Sequence, residues 1–482
     1  MKQQLKNSTS TGTSSSSNNL NNVKRNNNPL LSSIFVKFAI CFLLLGLVYR
    51  LYSSSFVQFS PIEISSTETT TIDGGDDDRE VVVAHKTLPP VVSSESSPVS
   101  ATTDPPPPPP SMVDLYLDEN NKNKTTPQTA AGECDLFVGD WVPDPAGPYY
   151  TNSTCFSIEA HQNCMMNGRP DTDYIYWRWN PRDCDLPKFN GEKFLHFMRN
   201  KSLAFIGDSI MRNHAQSLLC TLSQVEEALD VYHDKQYKSR RWSFPVHNFT
   251  LSVVWAPFLA KATIFEDDNG VSTDIIQLHL DELDAVWTQQ YKNFDYIFTA
   301  GGKWFLKPAV YYENNTIVGC HGCQGKNITE VGFYYAYRKV VNSTLKFVTS
   351  SKHTVYTFLR TTTPDHFENG EWHNGGYCNR TKPFRDGEVD MNSIDGILRK
   401  IELEEFEMAS GIGSQNGITL KLFDTSYLSL LRPDGHPGAY RNFQPFAGKD
   451  KNAKVQNDCL HWCLPGPIDS WNDLMLKMVL NS

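Results

Sequence analysis

Two short stretches of the chain carry residues of the type and spacing that acyl transfer needs. The first is KSLAFIGDSIMRN, residues 201–213, in which an apolar strand-like run reaches Gly207, Asp208 and Ser209 and a helix-like segment follows at once. A serine there stands at a helix N-terminus outside the carboxyl edge of a parallel sheet, where α/β proteins place ligands. Backbone N–H groups and the helix dipole favour a developing oxyanion at such a point, so Ser209 is a candidate nucleophile. A helix-capping serine, which needs no chemistry, is the competing reading. A serine also needs a base, and the base an orienter. Both are offered by NDCLHWCLPGPIDSW, residues 457–471, where Asp458 and His461 lie three residues apart with Cys459 and Cys463 around them. In a tight turn that spacing sets the carboxylate against one imidazole nitrogen and leaves the other for the serine. Either pattern alone is weak. Their combination in the order Ser, Asp, His is one of the known triad orders.

The elements that must hold these residues can be read from periodicity. Strands are predicted at 202–207, 250–257, 295–301, 353–361 and 418–425, and helices at 209–223, 331–350 and 393–410. Strands alternating with helices predict an α/β body with a mostly parallel sheet. Residues 132–200 differ, being rich in Cys, Trp and Pro with little periodicity, and are expected to form a loop-rich, disulfide-pinned subdomain ahead of a catalytic domain at 201–482. Trp177, Trp179, Trp304 and Trp372 fall in loop-like contexts, where aromatic faces suit pyranose rings, although core packing is the commoner use of Trp.

Charge divides the 482 residues unevenly, although the formal total is only −10. Residues 1–52 hold six basic residues and no acid, residues 53–120 hold twelve acids against Arg79 and Lys86, and the remaining body stands at −6. That distribution argues against a nucleic-acid partner, and the 39% apolar content excludes a chain disordered throughout. The run LLSSIFVKFAICFLLLGLVYRLY, residues 30–52, is close to the ~20 residues a bilayer core requires. Four basic residues before it and acids after it place the 1–29 tail in the cytosol and make the run a type II signal anchor. A cleaved signal peptide fits less well, since no small-residue cleavage site follows Tyr52. Residues 53–131, with six prolines at 105–110, are expected to form an extended lumenal stem. The short anchor suits a Golgi membrane.

Cysteine usage agrees with that topology. Ten of the 11 cysteines lie beyond the anchor: Cys134, Cys155, Cys164, Cys184, Cys220, Cys320, Cys323, Cys378, Cys459 and Cys463. They allow up to five disulfides in an oxidising compartment, with connectivity open. The pair Cys320 and Cys323 also has the spacing of a redox site or half a zinc site, but no second such pair exists. Glycosylation sequons stand at Asn123, Asn152, Asn200, Asn248, Asn314, Asn327, Asn342 and Asn379. No P-loop, dinucleotide fingerprint or DxD-type metal cluster follows a strand, which disfavours a nucleotide-sugar glycosyltransferase and gives no reason to expect a metal.

Taken with the Cys/Trp-rich stretch CDLFVGDWVPD…YIYWRWNPRDCDLP, the GDSIMRN and NDCLHWCLPGPIDSWN segments resemble the plant trichome birefringence-like family of polysaccharide O-acetyltransferases, within the GDSL/SGNH esterase superfamily. The resemblance covers essentially residues 134–482, and it implies a flavodoxin-like three-layer α/β/α fold. It also implies Ser209 as nucleophile, His461 as general base and Asp458 as orienter, in a double displacement through an acetyl-serine. No bound cofactor is implied, only an acetyl donor, acetyl-CoA or one derived from it. The acceptor implied is a wall polysaccharide; the RPDGHPG and GCHGCQG stretches resemble the subgroup that acetylates xyloglucan side-chain galactose. Xylan, mannan and pectin are the alternative acceptors, and a non-catalytic polysaccharide-binding scaffold is the alternative class. An acetyl-donor transporter and a glycan-synthesis complex are the further partners such a membrane-anchored enzyme implies. For the oxyanion hole, Gly301 and Gly302 are the counterpart of the superfamily's middle glycine, and Asn369 or Asn374 of its asparagine. Gly207, Asp208, Arg212 and Asn213 are further candidates for oxyanion or substrate contacts, the last two being on Ser209's face of the helix.

Overall fold

A computed structural model describes residues 134–266, 272–448 and 454–481. The tail, anchor and stem, together with Asn123, lie outside these residues, and among the described residues no helix is long and apolar enough to cross a membrane.

In chain order the elements are β1 (Gly139–Pro143), β2 (Trp177–Pro181), α1 (Gly191–Phe197), β3 (Ser202–Gly207) and α2 (Ser209–Leu222). There follow β4 (Leu229–His233), β5 (Arg240–Phe244), β6 (Phe249–Trp255), β7 (Ala260–Thr263), β8 (Ile276–Leu283) and β9 (Tyr296–Thr299). The chain continues through β10 (Ala309–Glu313), β11 (Thr316–His321), α3 (Phe333–Thr349), β12 (Tyr356–Arg360), α4 (Ser393–Gln415), β13 (Thr419–Phe423) and α5 (Asp469–Leu480). The main sheet has seven strands in the order β13-β12-β9-β3-β6-β5-β4. β13, β12, β9, β3 and β6 are mutually parallel. By chain order these five run second, first, third, fourth, fifth across the sheet, the flavodoxin-like arrangement with its switch point beside β3.

β3 is central because both of its faces are apolar. Leu203 and Phe205 join the cluster that contains α2 and α5, while Ala204 and Ile206 join the cluster that contains α3 and α4. Such a strand can only lie between two covered faces, so the sheet is the middle of three layers. α2 begins where Asp208 Oδ1 accepts from the N–H groups of Ile210, at 3.0 Å, and Met211, at 3.4 Å.

The expectation of a parallel sheet needs correcting in two respects. β5 and β4 extend the main sheet in antiparallel fashion, and β11-β10-β8-β7 form a separate four-stranded mixed sheet. The Cys/Trp-rich segment is also less irregular than expected, since β1 and β2 pair in register from Gly139↔Pro181 to Pro143↔Trp177. Trp177 and Trp179 therefore sit in a strand rather than a loop, and Trp179 is fully buried in the core. All ten cysteines are joined, as Cys134–Cys184, Cys155–Cys220, Cys164–Cys463, Cys320–Cys323 and Cys378–Cys459. Asn200, Asn248, Asn314, Asn327, Asn342 and Asn379 are exposed, and Asn152 is partly buried.

Candidate active site

At the carboxyl end of β3 the chain turns sharply through Gly207, which has φ 151°. A Cβ on Gly207 would lie 2.3 Å from the Ala300 carbonyl oxygen, so glycine is required both by backbone conformation and by the neighbouring strand's exit. Gly207→Ala is expected to cost at least about 2 kcal/mol, read as a lower denaturant midpoint at unchanged slope.

Ser209 opens α2 and is half-buried. The N–H groups of Ser209, Gly301 and Gly302 donate to no acceptor among the described residues, leaving donors at this edge. The glycine pair is held from behind, where Thr362 Oγ1 donates to the Gly301 carbonyl at 3.2 Å and a Cβ on Gly302 would lie 2.3 Å from the same Oγ1. Asp208 is buried at the cap, and burial raises its pKa while the buried Arg360 guanidinium, 4.0 Å away, opposes that rise.

The DxxH turn is closed on itself. Asp458 Oδ1 accepts the Leu460 N–H at 3.2 Å and the His461 N–H at 3.0 Å, and Oδ2 accepts from His461 Nδ1 at 2.9 Å. Burial alone would raise the Asp458 carboxyl, but the His461 charge and these hydrogen bonds hold it well below the usual carboxylate range. Burial opposes a charge on His461, yet Asp458 outweighs that effect and raises its pKa. Cys459 and Cys463 do not bond each other. They tie the turn to Cys378 and Cys164, fixing it from two directions.

Asn213 brings the two motifs together. One turn beyond Ser209, its Oδ1 accepts the Trp462 N–H at 2.7 Å and its Nδ2 donates to the Trp462 carbonyl at 3.3 Å, and it is fully buried. The residue after His461 is thus clasped to the helix that Ser209 opens, close enough for the Asp208 charge to act on His461. Ser209 Oγ itself makes no hydrogen bond to a described residue. A candidate nucleophile can stand so, since catalytic hydrogen bonds often tighten only around substrate.

The remaining candidates find other uses. Arg212 is ion-paired to Glu159 at 2.8 Å, and Asn213 makes the clasp on Trp462. Asn369 Nδ2 donates to Tyr377 Oη at 2.6 Å, and Asn374 Oδ1 caps its own turn by accepting the Glu371 N–H. Of the loop tryptophans, Trp372 is exposed, whereas Trp304 packs edge-on against Trp255 at 5.5 Å, beside the end of β6.

Sequence reading missed the contribution of the Cys-rich segment. His161, on the 3-10 turn Ala160–Gln162, lies edge-on to His461 with ring centroids 6.1 Å apart. Burial and then the His461 charge lower its pKa to about 4, so it faces the Asp458–His461 pair as a neutral ring. The Leu464 N–H donates to the Gln162 carbonyl at 2.9 Å and Cys164 bonds Cys463, which together lock that turn beside His461. Arg441 is a second missed residue, and its charge acts on both Asp458 and His461. Among the described residues the groups able to hold a metal are Cys320, Cys323 and Glu330, where the cysteines are already joined, and His279, Asp281 and Glu282. Neither set includes a residue of this corner.

Residues 186–478 match the GDSL/SGNH-like acyl-esterase family found in Pmr5 and Cas1p, and residues 132–185 match the PMR5 N-terminal domain. The chain is 61% identical over 361 residues to protein trichome birefringence-like 25 of Arabidopsis thaliana, across 73% of this chain and 78% of that protein. It is 45% identical over 350 residues to xyloglucan O-acetyltransferase 1 of Arabidopsis thaliana, across 72% of this chain and 80% of that protein. To xyloglucan O-acetyltransferase 1 of Populus trichocarpa it is 44% identical over 352 residues, across 72% and 81% respectively.

Proposed function

The chain belongs to the trichome birefringence-like family and carries its GDSL/SGNH-like acyl-esterase domain, and on that premise we propose that it is a polysaccharide O-acetyltransferase working through an acetyl-serine. The observation that carries the reading is the Asn213 clasp, which holds the Asp458–His461 pair against the helix that begins with Ser209.

In the first half-reaction His461 Nε2 takes the Ser209 hydroxyl proton as Oγ attacks the acetyl carbonyl of the donor. The tetrahedral oxyanion falls among the free N–H groups of Ser209, Gly301 and Gly302. Collapse expels the donor's leaving group, which takes the proton from His461. In the second half-reaction a sugar hydroxyl gives its proton to His461 and attacks the acetyl-serine, and Ser209 recovers the proton when its ester bond breaks. Hydrolysis would differ only in admitting water at that last step, so selection depends on what surrounds the triad. Beside it runs a cavity of about 500 Å³ lined by Tyr377, Tyr440, Phe446, Arg169 and Asn457. The cavity adjoins the turn because Gly438, also in its wall, pairs backbone to backbone with Asp458. Aromatic faces beside amide and guanidinium groups suit a neutral glycan.

Xyloglucan is the acceptor we propose, acetylated on side-chain galactose, because two relatives carry that polymer in their names. The setting proposed is the Golgi lumen, with a type II anchor at residues 30–52, occupied sequons and acetyl-CoA or a derived donor. Given xyloglucan, xylan, mannan and pectin oligomers with an acetyl donor, the protein is expected to add acetyl to xyloglucan oligomers ahead of the others, detected as a mass increase. Acetylation of another polymer alone would replace the acceptor. No acetylation of any would favour a non-catalytic scaffold.

A further inference from the structure

Two histidines outside the triad form a contact whose proton count is fixed by their neighbours. His366 Nε2 lies 2.8 Å from the Leu430 carbonyl oxygen, and His436 Nδ1 lies 2.8 Å from the His461 carbonyl oxygen. Carbonyl oxygens only accept, so both of these outer nitrogens carry hydrogen. The inner nitrogens, His366 Nδ1 and His436 Nε2, are 2.7 Å apart. With two neutral rings each would present a lone pair to the other, which is repulsive at that distance. One added proton turns the contact into a charge-assisted N–H···N bond, whereas two would set N–H against N–H.

We infer that His366 and His436 share a single proton, and that the pair acts as a positioning element for His461 by holding that residue's carbonyl. The DxxH turn is held at a second point, since the backbone N–H of His366 donates to the Cys459 carbonyl at 2.9 Å. His436 is 3% exposed and stacks on Trp462 with centroids 4.3 Å apart, so the ring cannot swing away to find another acceptor. The charges around the pair are mixed. Asp365 and Asp434 favour a cation at His366 while Lys303 opposes it, and Asp458 favours one at His436 while Arg169 opposes it. Burial holds both rings below the ordinary histidine range, and the charge of one ring further resists a charge on the other. The pair therefore takes up one proton as pH falls and refuses the second.

The full-length protein labelled with [15N]histidine tests the proton count directly. As pH falls below about 6.5 the inner nitrogens of His366 and His436 are expected to shift together in one step worth one proton, with a single strongly deshielded proton resonance between them. Two independent titrations, or an acid form in which either outer nitrogen lacks hydrogen, would overturn the sharing. The positioning role rests on the acetyl-transfer reading and is tested separately. His436→Asn keeps a donor near Nδ1 for the His461 carbonyl, while His436→Gln keeps only a group near Nε2. The Gln variant is expected to lose kcat by roughly 10-fold or more with its acceptor KM unmoved, and the Asn variant to retain most of it. Equal losses in both would reduce the ring to packing. A wild-type protein that transfers no acetyl at all would instead count against the acetyl-transfer reading and leave the proton count standing or falling on the spectra.

Discussion

Ser209→Ala is expected to abolish acetyl transfer, lowering kcat by at least ~10⁴-fold, while the protein folds and is secreted as before. The two halves of this result have separate physical grounds. The chemical half follows from the proposed mechanism, in which every covalent step passes through Ser209 Oγ. The structural half follows because the Oγ holds nothing in place. It makes no hydrogen bond among the described residues, and the cap of α2 is the Asp208 carboxylate, which the substitution leaves alone. Alanine is also the better helix former. The measurement is acetyl added to xyloglucan oligomers by mass spectrometry, alongside circular dichroism and the denaturant midpoint. Retained transfer would falsify Ser209 as the nucleophile. A wild type and variant that both bind glycan and neither of which adds acetyl would point to the scaffold.

How much of this was legible in the chain depends on which contacts are local. β3, β6, β9 and β12 are visible as apolar runs because each lies inside the sheet, buried between two layers, while β13, at the edge with Lys421 exposed, shows as an alternation instead. β4 was not visible, because all five of its residues are exposed at the sheet's edge and carry no burial pattern. The separate sheet of β7, β8, β10 and β11 escaped for another reason. Its strands mix alternation with bulges between Ala260 and Ala262 and between Tyr311 and Tyr312, which break the period of two. The site divides along the same line. Gly207, Asp208 and Ser209 are contiguous, and Asp458 meets His461 across one turn, so their chemistry is written in spacing. The groups that bring the halves together are not, since Asn213 finds Trp462 across 249 residues and Cys164 finds Cys463 across 299. His161 stood three residues before a cysteine whose partner no spacing could name. Asn369 and Asn374 read as candidate donors because asparagine is what an oxyanion hole uses, but asparagine is also what a tight turn uses, and Asn374 Oδ1 caps one.

The fixed placement of the base makes Asp458→Asn the second large effect, with kcat expected to fall by ~10⁴-fold and the fold retained. In the native turn Oδ1 of Asp458 holds the N–H groups of Leu460 and His461, and Oδ2 accepts from His461 Nδ1. An asparagine keeps the first task with its amide oxygen. Its NH₂ then points at Nδ1 and demands a lone pair there, so the ring's one proton moves to Nε2. A ring in that tautomer offers Ser209 an N–H where it needs an acceptor, and the base is lost without loss of position. The pH profile separates this cause from a simple change of charge. In the native protein Asp458 raises the His461 pKa, so the neutral base grows in only as pH rises through a value above the ordinary histidine range. Removing the carboxylate lowers that pKa, and the acid limb of the residual activity should move to lower pH. More of the imidazole is then neutral at any given pH, yet the rate is far lower, which a charge effect alone cannot produce. The experiment is kcat against pH for both proteins on the same acceptor. A loss under about 10-fold, or an acid limb that stays where it was, would remove Asp458 from its role as the orienter of His461.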